Sequence, residues 1–156
     1  MKLSQELITF FKNQGFVVVS TIDAFGMPHN SCKGIVEIDK KNGLFYLLDV
    51  YKENTYNNLT QNHNIAVTAI DEHRFTGYSI KGKAKVVKTE YVPHFLTMWE
   101  DRINQRIARR FIRNIRGEKG HKGHPEARLP KPEYLIVFKA KDVIDLTPYH
   151  LKEKLK

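Results

Sequence analysis

The sequence predicts a mainly β domain with flanking helices: six antiparallel strands in a closed or nearly closed barrel. Two observations predict the strands: short runs dense in β-branched residues recur along the chain, and turn chemistry separates them so that they follow one another in hairpin order. A third is that only one helical pattern is long. Closure is expected because it removes exposed sheet edges.

The first element is a short amphipathic helix at residues 4–13, where Leu7, Ile8, Phe10 and Phe11 recur at helical spacing behind Ser4 as N-cap, with Gly15 ending the run. Residues 16–22 form a first strand, and the turn chemistry from Asp23 through Gly26 to Pro28 leads into a second extended run at residues 30–38. Asn42-Gly43 readily takes the positive φ angles of a tight hairpin and introduces a third strand at residues 44–48. A short helix at residues 53–62, with Leu59 inward, precedes a fourth strand at 65–70 and a fifth at 77–87, where Ile80, Ala84 and Val86 alternate.

Residues 94–116 carry the clearest periodicity, with Trp99, Ile103, Ile107, Phe111 and Ile115 at spacings of four and Leu96, Ala108 and Ile112 alongside. This is a long amphipathic helix. Arg102, Arg106, Arg109, Arg113 and Arg116 fall within roughly 80° of one another on it and are expected opposite the apolar stripe, as one guanidinium ridge. Residues 117–132 turn to Gly, Lys, His and Pro and are expected to form a mobile loop. A last strand at 134–139, continuing at 143–146, precedes a charged tail from Lys152, and there is no internal repeat.

At 156 residues with 41% apolar side chains, the chain is expected to form one domain over residues 1–156 without metal or disulfide support. Cys32 is the only cysteine, so no intramolecular disulfide and no cysteine zinc motif can form, and a reducing, cytoplasmic setting fits. Residues 1–11 lack signal-peptide features, and no apolar run approaches the roughly 20 residues of a membrane span, so no membrane association is expected. The net charge is +9, of which +7 lies between Arg102 and Lys122, an excess that asks for an anionic ligand or surface.

The order of features resembles the FMN-binding split barrels, the group that includes pyridoxamine 5'-phosphate oxidase. The resemblance rests on the first strand, the Gly26-Met27-Pro28-His29 turn, Phe45-Tyr46-Leu47-Leu48, the Tyr56-Asn57-Asn58-Leu59 helix, and Asn62-His63-Asn64-Ile65-Ala66-Val67 followed by Ile80-Lys81-Gly82-Lys83-Ala84. It covers residues 16–88. It implies a six-stranded antiparallel split β-barrel, a homodimer with FMN at the subunit interface, and flavin redox chemistry on a small-molecule substrate. The phosphate would be held by Lys52, Asn54, Thr55 and Tyr56, where a helix N-terminus offers free N–H groups. The isoalloxazine ring would lie against the backbone of Asn30, Ser31 and Cys32 and of Tyr46, Leu47 and Leu48, with Gly77 and Tyr78 as further candidates by position.

The chain departs from the family where many relatives carry two basic residues and it has Asn54 and Thr55; Lys33, Arg74 or an Arg of the long helix could supply the charge. Residues 130–146 lack the family's substrate-phosphate Arg and His pattern, so no substrate is implied, and no acid–base residue is placed. Cys32 has no activating neighbour in sequence and reads as a packed thiol, while His121 and His124 fall short of a metal site. Arg102, Arg106, Arg109, Arg113 and Arg116 ask for an anionic partner: the phosphate of a flavin or substrate, the acidic tail of a deazaflavin as in some relatives, or nucleic acid contacted without sequence reading. Two alternatives to FMN follow, a deazaflavin-binding relative and a flavin-free barrel that binds a polyanion.

Overall fold

The computed structural model describes residues 1–118, 120–123 and 125–152. The strands are β1 (Val17–Ile22), β2 (Pro28–Lys33), β3 (Ile35–Asp39), β4 (Leu44–Asp49), β5 (Asn64–Asp71), β6 (Thr76–Lys88) and β7 (Tyr134–Asp145). The α-helices are α1 (Gln5–Asn13), α2 (Asn54–Gln61), α3 (Phe95–Ile115) and α4 (Tyr149–Lys152), and single 3-10 turns lie at Thr89–Tyr91 and Pro125–Arg128. Among the described residues no helix is long and apolar enough to cross a membrane.

All seven strands join one antiparallel sheet in the order β2-β1-β5-β6-β7-β4-β3, curled into a half-barrel. Seven replaces the expected six because the second extended run changes partner at Gly34: β2 pairs with β1, whereas β3 pairs with β4. The Leu48 N–H donates to the Gly34 carbonyl at 2.8 Å. A Cβ on Gly34 would stand 3.1 Å from Leu48 Cδ1 and 3.2 Å from Arg106 Nη1, so the crossing is tight around a residue without a side chain. β2 and β3 are the two edges of the sheet and are joined through this single residue, which forces the sheet to curl until its edges approach there.

The Asn42-Gly43 turn forms as expected, with Gly43 at φ 65°. The last strand is continuous from Tyr134 to Asp145; its apparent break is a bulge, where the pairing passes from Lys81 with Asp142 to Gly82 with Ala140 and leaves Lys141 over. Inside the curl, Phe11 of α1 meets Phe45 edge-on at 5.6 Å, and Phe45 meets Phe138 at 5.5 Å. A second cluster, Val36, Leu48, Val92, Phe95, Trp99 and Leu135, lies under α3.

The faces of α3 differ from the expectation. Phe95, Trp99 and Arg102 are buried, whereas Leu96, Phe111 and Ile112 are exposed and Ile115 is 84% exposed. The reason is helical phase. A spacing of four advances about 400°, so an i, i+4 stripe drifts about 40° per step, and Ile115 stands about 160° from Trp99. Arg102, Arg106, Arg109 and Arg113 alternate spacings of three and four and stay on the Trp99 flank. Arg102, Arg106 and Arg109 turn toward the body of the protein, whereas Arg113, Arg116 and the later apolar residues are exposed.

Candidate cofactor groove and arginine cleft

Polar side chains fasten α2 to the edge of the sheet. The Ser31 and Thr55 hydroxyls are 2.8 Å apart, and Asn58 Nδ2 donates to Thr21 Oγ1 at 3.0 Å. Thr55 is buried, not at the surface as its polarity suggests, because its hydroxyl is satisfied by Ser31. Below them Leu59 enters the core. The residue before α2, Glu53, makes no side-chain cap, so the first-turn N–H groups of Asn54, Thr55 and Tyr56 have no capping side chain. An uncapped helix start beside two hydroxyls is suited to a phosphate monoester.

The adjoining charges are mostly matched. Lys33 Nζ donates to Asp49 Oδ1 at 2.8 Å, and Asp49 is 1% exposed with its Oδ2 unpartnered. Lys52 Nζ sits 4.0 Å from the Tyr134 ring centroid and 3.5 Å from Glu133 Oε2. Arg74 lies in the β5–β6 turn beside Tyr78 and Gln5. Of the two residues that could replace the missing basic pair at Asn54 and Thr55, Lys33 is thus already paired with Asp49 and Arg74 stands at the Tyr78 end of β6.

β2 pairs on one side only, so half of the backbone groups of Asn30, Ser31 and Cys32 are free to meet a ligand. Asn30 accepts from Ser20 Oγ at 2.7 Å. Cys32 is exposed, a correction to the packed-thiol reading that follows from its position on an edge strand. Tyr46, Leu47 and Leu48 lie on β4, flanked by β3 and β7, and the side chains of Leu47 and Leu48 are buried. Gly77 and Tyr78 stand at the far end of β6: Lys85, seven residues on, adjoins α2, so Tyr78 is about 23 Å away along the strand. Tyr78 packs edge-on against Phe10 at 4.9 Å. Ser31, Thr55 and their neighbours thus come together within the chain, and Gly77 and Tyr78 do not join them.

The arginine ridge closes the C-terminus of α1. Arg102 Nη2 donates to the Gln14 carbonyl at 3.0 Å, Arg106 Nη1 to Gly15 at 3.1 Å and Arg109 Nη1 to Asn13 at 3.2 Å. These carbonyls have no partner within the helix and lie at its negative end. Arg106 also stacks over the Phe16 ring, 4.4 Å from its centroid. Arg102 is 5% exposed; burial first, then the charges of Arg106 and Arg109, lower its pKa to about 10, so it stays cationic at neutral pH. Arg110 Nε donates to Glu126 Oε2 at 2.8 Å, and Arg113 Nε stands 3.5 Å from Glu118 Oε2. Glu126, in the 3-10 turn within residues 117–132, has no sequence signature beyond being an acid in a basic region. His124 lies outside the described residues, among which no metal-binding group occurs.

A family model described as pyridoxamine 5'-phosphate oxidase matches residues 3–146. The chain belongs to this family. No curated protein matches it. Among solved structures, Group A Streptococcus HupZ superposes with a TM-score of 0.63 at 19% identity, over 93% of this chain and 94% of that one. A protein named F420 Reductase gives 0.60 at 14% identity, over 91% and 98%. HutZ, the heme storage protein from Vibrio cholerae, gives 0.53 at 16% identity, over 92% and 94%. At these identities the likeness is one of fold, and the proteins that share it do not share one named ligand.

Proposed function

We propose that the protein is a homodimeric, cytoplasmic FMN-binding oxidoreductase of the pyridoxamine 5'-phosphate oxidase family, acting on a small-molecule redox substrate. The observation that carries this reading is the uncapped start of α2 set beside the Ser31–Thr55 hydroxyl pair and the open edge of β2. The N–H groups of Asn54, Thr55 and Tyr56 and the two hydroxyls would hold the phosphate, and the free backbone of Asn30, Ser31 and Cys32 would orient the ring. FMN, when bound, supplies hydride or electron transfer. The protein's part is to bind, orient and exclude water.

Because Lys33 and Lys52 already face Asp49 and Glu133, the phosphate is held mainly by neutral donors. Each missing charge-assisted bond costs roughly 1.5 to 3 kcal/mol, so FMN affinity is expected below that of relatives with the basic pair. Exposed Phe16, Val18, Phe25 and Met27 on and around β1 and β2 offer an apolar surface for a second copy. A flavin-free nucleic-acid reading is weaker, because Arg102, Arg106 and Arg109 turn toward α1 instead of forming an open stripe.

Ser31→Ala combined with Thr55→Val keeps the volume of both side chains and removes both hydroxyls. FMN affinity, measured by flavin fluorescence quenching, is expected to fall about tenfold with the far-UV circular dichroism unchanged. Equal affinity in the double variant would move the phosphate elsewhere.

A further inference from the structure

We propose that the arginine-lined cleft between the end of α1 and the middle of α3 binds a small phosphate dianion. The cleft is distinct in its residues from the flavin groove, and this inference does not rest on the FMN reading. The cavity has a volume of about 260 Å³ and is walled by Arg102, Arg106, Arg109, Arg110 and Arg113, with Glu118 and Glu126 as its acids.

The charges do not cancel. Glu126 is held by Arg110 and Glu118 by Arg113, which leaves Arg102, Arg106 and Arg109 to be matched. Glu37, the other acid that acts on Arg102, already pairs with Lys12 at 3.0 Å. Closing the C-terminus of α1 does not require this much charge: a helix end is equivalent to about −0.5 of an elementary charge, against three guanidiniums. An excess of roughly two positive charges or more stays in one partly enclosed space, and that matches a dianion better than a single carboxylate.

Donors are available for it. A guanidinium carries five N–H bonds, and the Gly15 carbonyl takes one from Arg106, whose stacking on Phe16 fixes its plane. Arg109 gives its two terminal nitrogens to Lys12 and Asn13, and its Nε has no acceptor among the described residues. Arg102 is almost wholly buried and its Nε has no hydrogen-bond partner among the described residues, so positive charge reaches the floor of the cleft. The cavity is smaller than the roughly 300 to 1,000 Å³ typical of drug-sized ligands, which favours a phosphate ion or the phosphate end of a small monoester. A nucleic-acid duplex could not reach Arg102.

Isothermal titration of the 156-residue chain with inorganic phosphate, at an ionic strength held constant with chloride, tests this directly. Saturable binding at one site per chain is expected, weakened at least tenfold by Arg106→Gln and by Arg109→Gln and unaffected by Lys122→Gln outside the cleft. Phenyl phosphate, titrated in parallel, separates the sources: tighter binding than phosphate marks a monoester ligand, and exclusion marks the free ion. Should the arginine variants unfold, a phosphate-specific rise in melting temperature over the chloride control that is kept in the Ser31→Ala/Thr55→Val variant of the flavin groove stands as the deciding readout. No saturable phosphate effect, equal weakening by Lys122→Gln, or binding of a short DNA duplex but not phosphate would overturn the proposal. FMN uptake should survive Arg109→Gln, so failure of the cleft and failure of the flavin groove are told apart.

Discussion

The Glu126 carboxylate takes two donors from Arg110 while its side chain is 7% exposed, and the hydrogen bonds from Arg110 hold its pKa below the ordinary glutamate value of 4.5. A carboxyl whose pKa falls on folding stabilises the folded state above its ordinary value, and the contribution is lost as the pH drops through that value toward the lowered one. Glu126→Gln is therefore expected to lower stability by about 1 to 3 kcal/mol near neutral pH, with the gap to wild type narrowing below about pH 4.5. Urea melts of both proteins at about pH 7 and about pH 3.5 check this; a gap independent of pH would contradict it. The pair was illegible in the sequence because no spacing rule ties an arginine on a helix to an acid in the following Gly- and Pro-rich stretch. Cys32 was misread for a related reason: a mid-strand cysteine packs only if its strand is interior, and β2 is an edge.

At the scale of elements, α1 is held at both ends by side chains. Ser4 Oγ accepts from the Leu7 N–H at 3.1 Å, and Arg102, Arg106 and Arg109 donate to the last carbonyls. Ser4→Ala removes one cap while its site remains exposed, so a loss of about 1 kcal/mol is expected in chemical denaturation, and no measurable loss would mean that the arginine end alone sets the helix. The Ser4 cap, the Asn42-Gly43 turn and the extents of α1, α2 and α3 were legible because each depends on neighbours within a few residues. The change of partner at Gly34 was not, since the backbone stays extended on both sides and only the pairing changes. The inward turn of the arginine ridge was hidden by the drift of the four-residue stripe around α3, where the count of apolar residues was right and their phase was not.

At the scale of the molecule, the curled sheet leaves its β2 edge open beside α2 and an apolar surface next to it, and the proposed function uses both for a dimer with flavin between its copies. Val18 is exposed on β1, directly opposite Cys32 of β2. Val18→Asp puts a charge on that surface without touching the core, so sedimentation equilibrium is expected to show a monomer that has lost FMN; an intact dimer would place the interface elsewhere. The antiparallel sheet and the short helix α2 were expected from the sequence and its resemblance, whereas the order of strands in the sheet, and the strand's length that separates Gly77 and Tyr78 from α2, had no local signal. The most direct test of the central claim is the visible absorbance spectrum of the purified protein, taken after adding FMN and removing the excess by gel filtration. A two-banded flavin spectrum that travels with the protein at about one FMN per chain is the expected result. A colourless protein, or one that rejects FMN but retains a deazaflavin or heme, would contradict it.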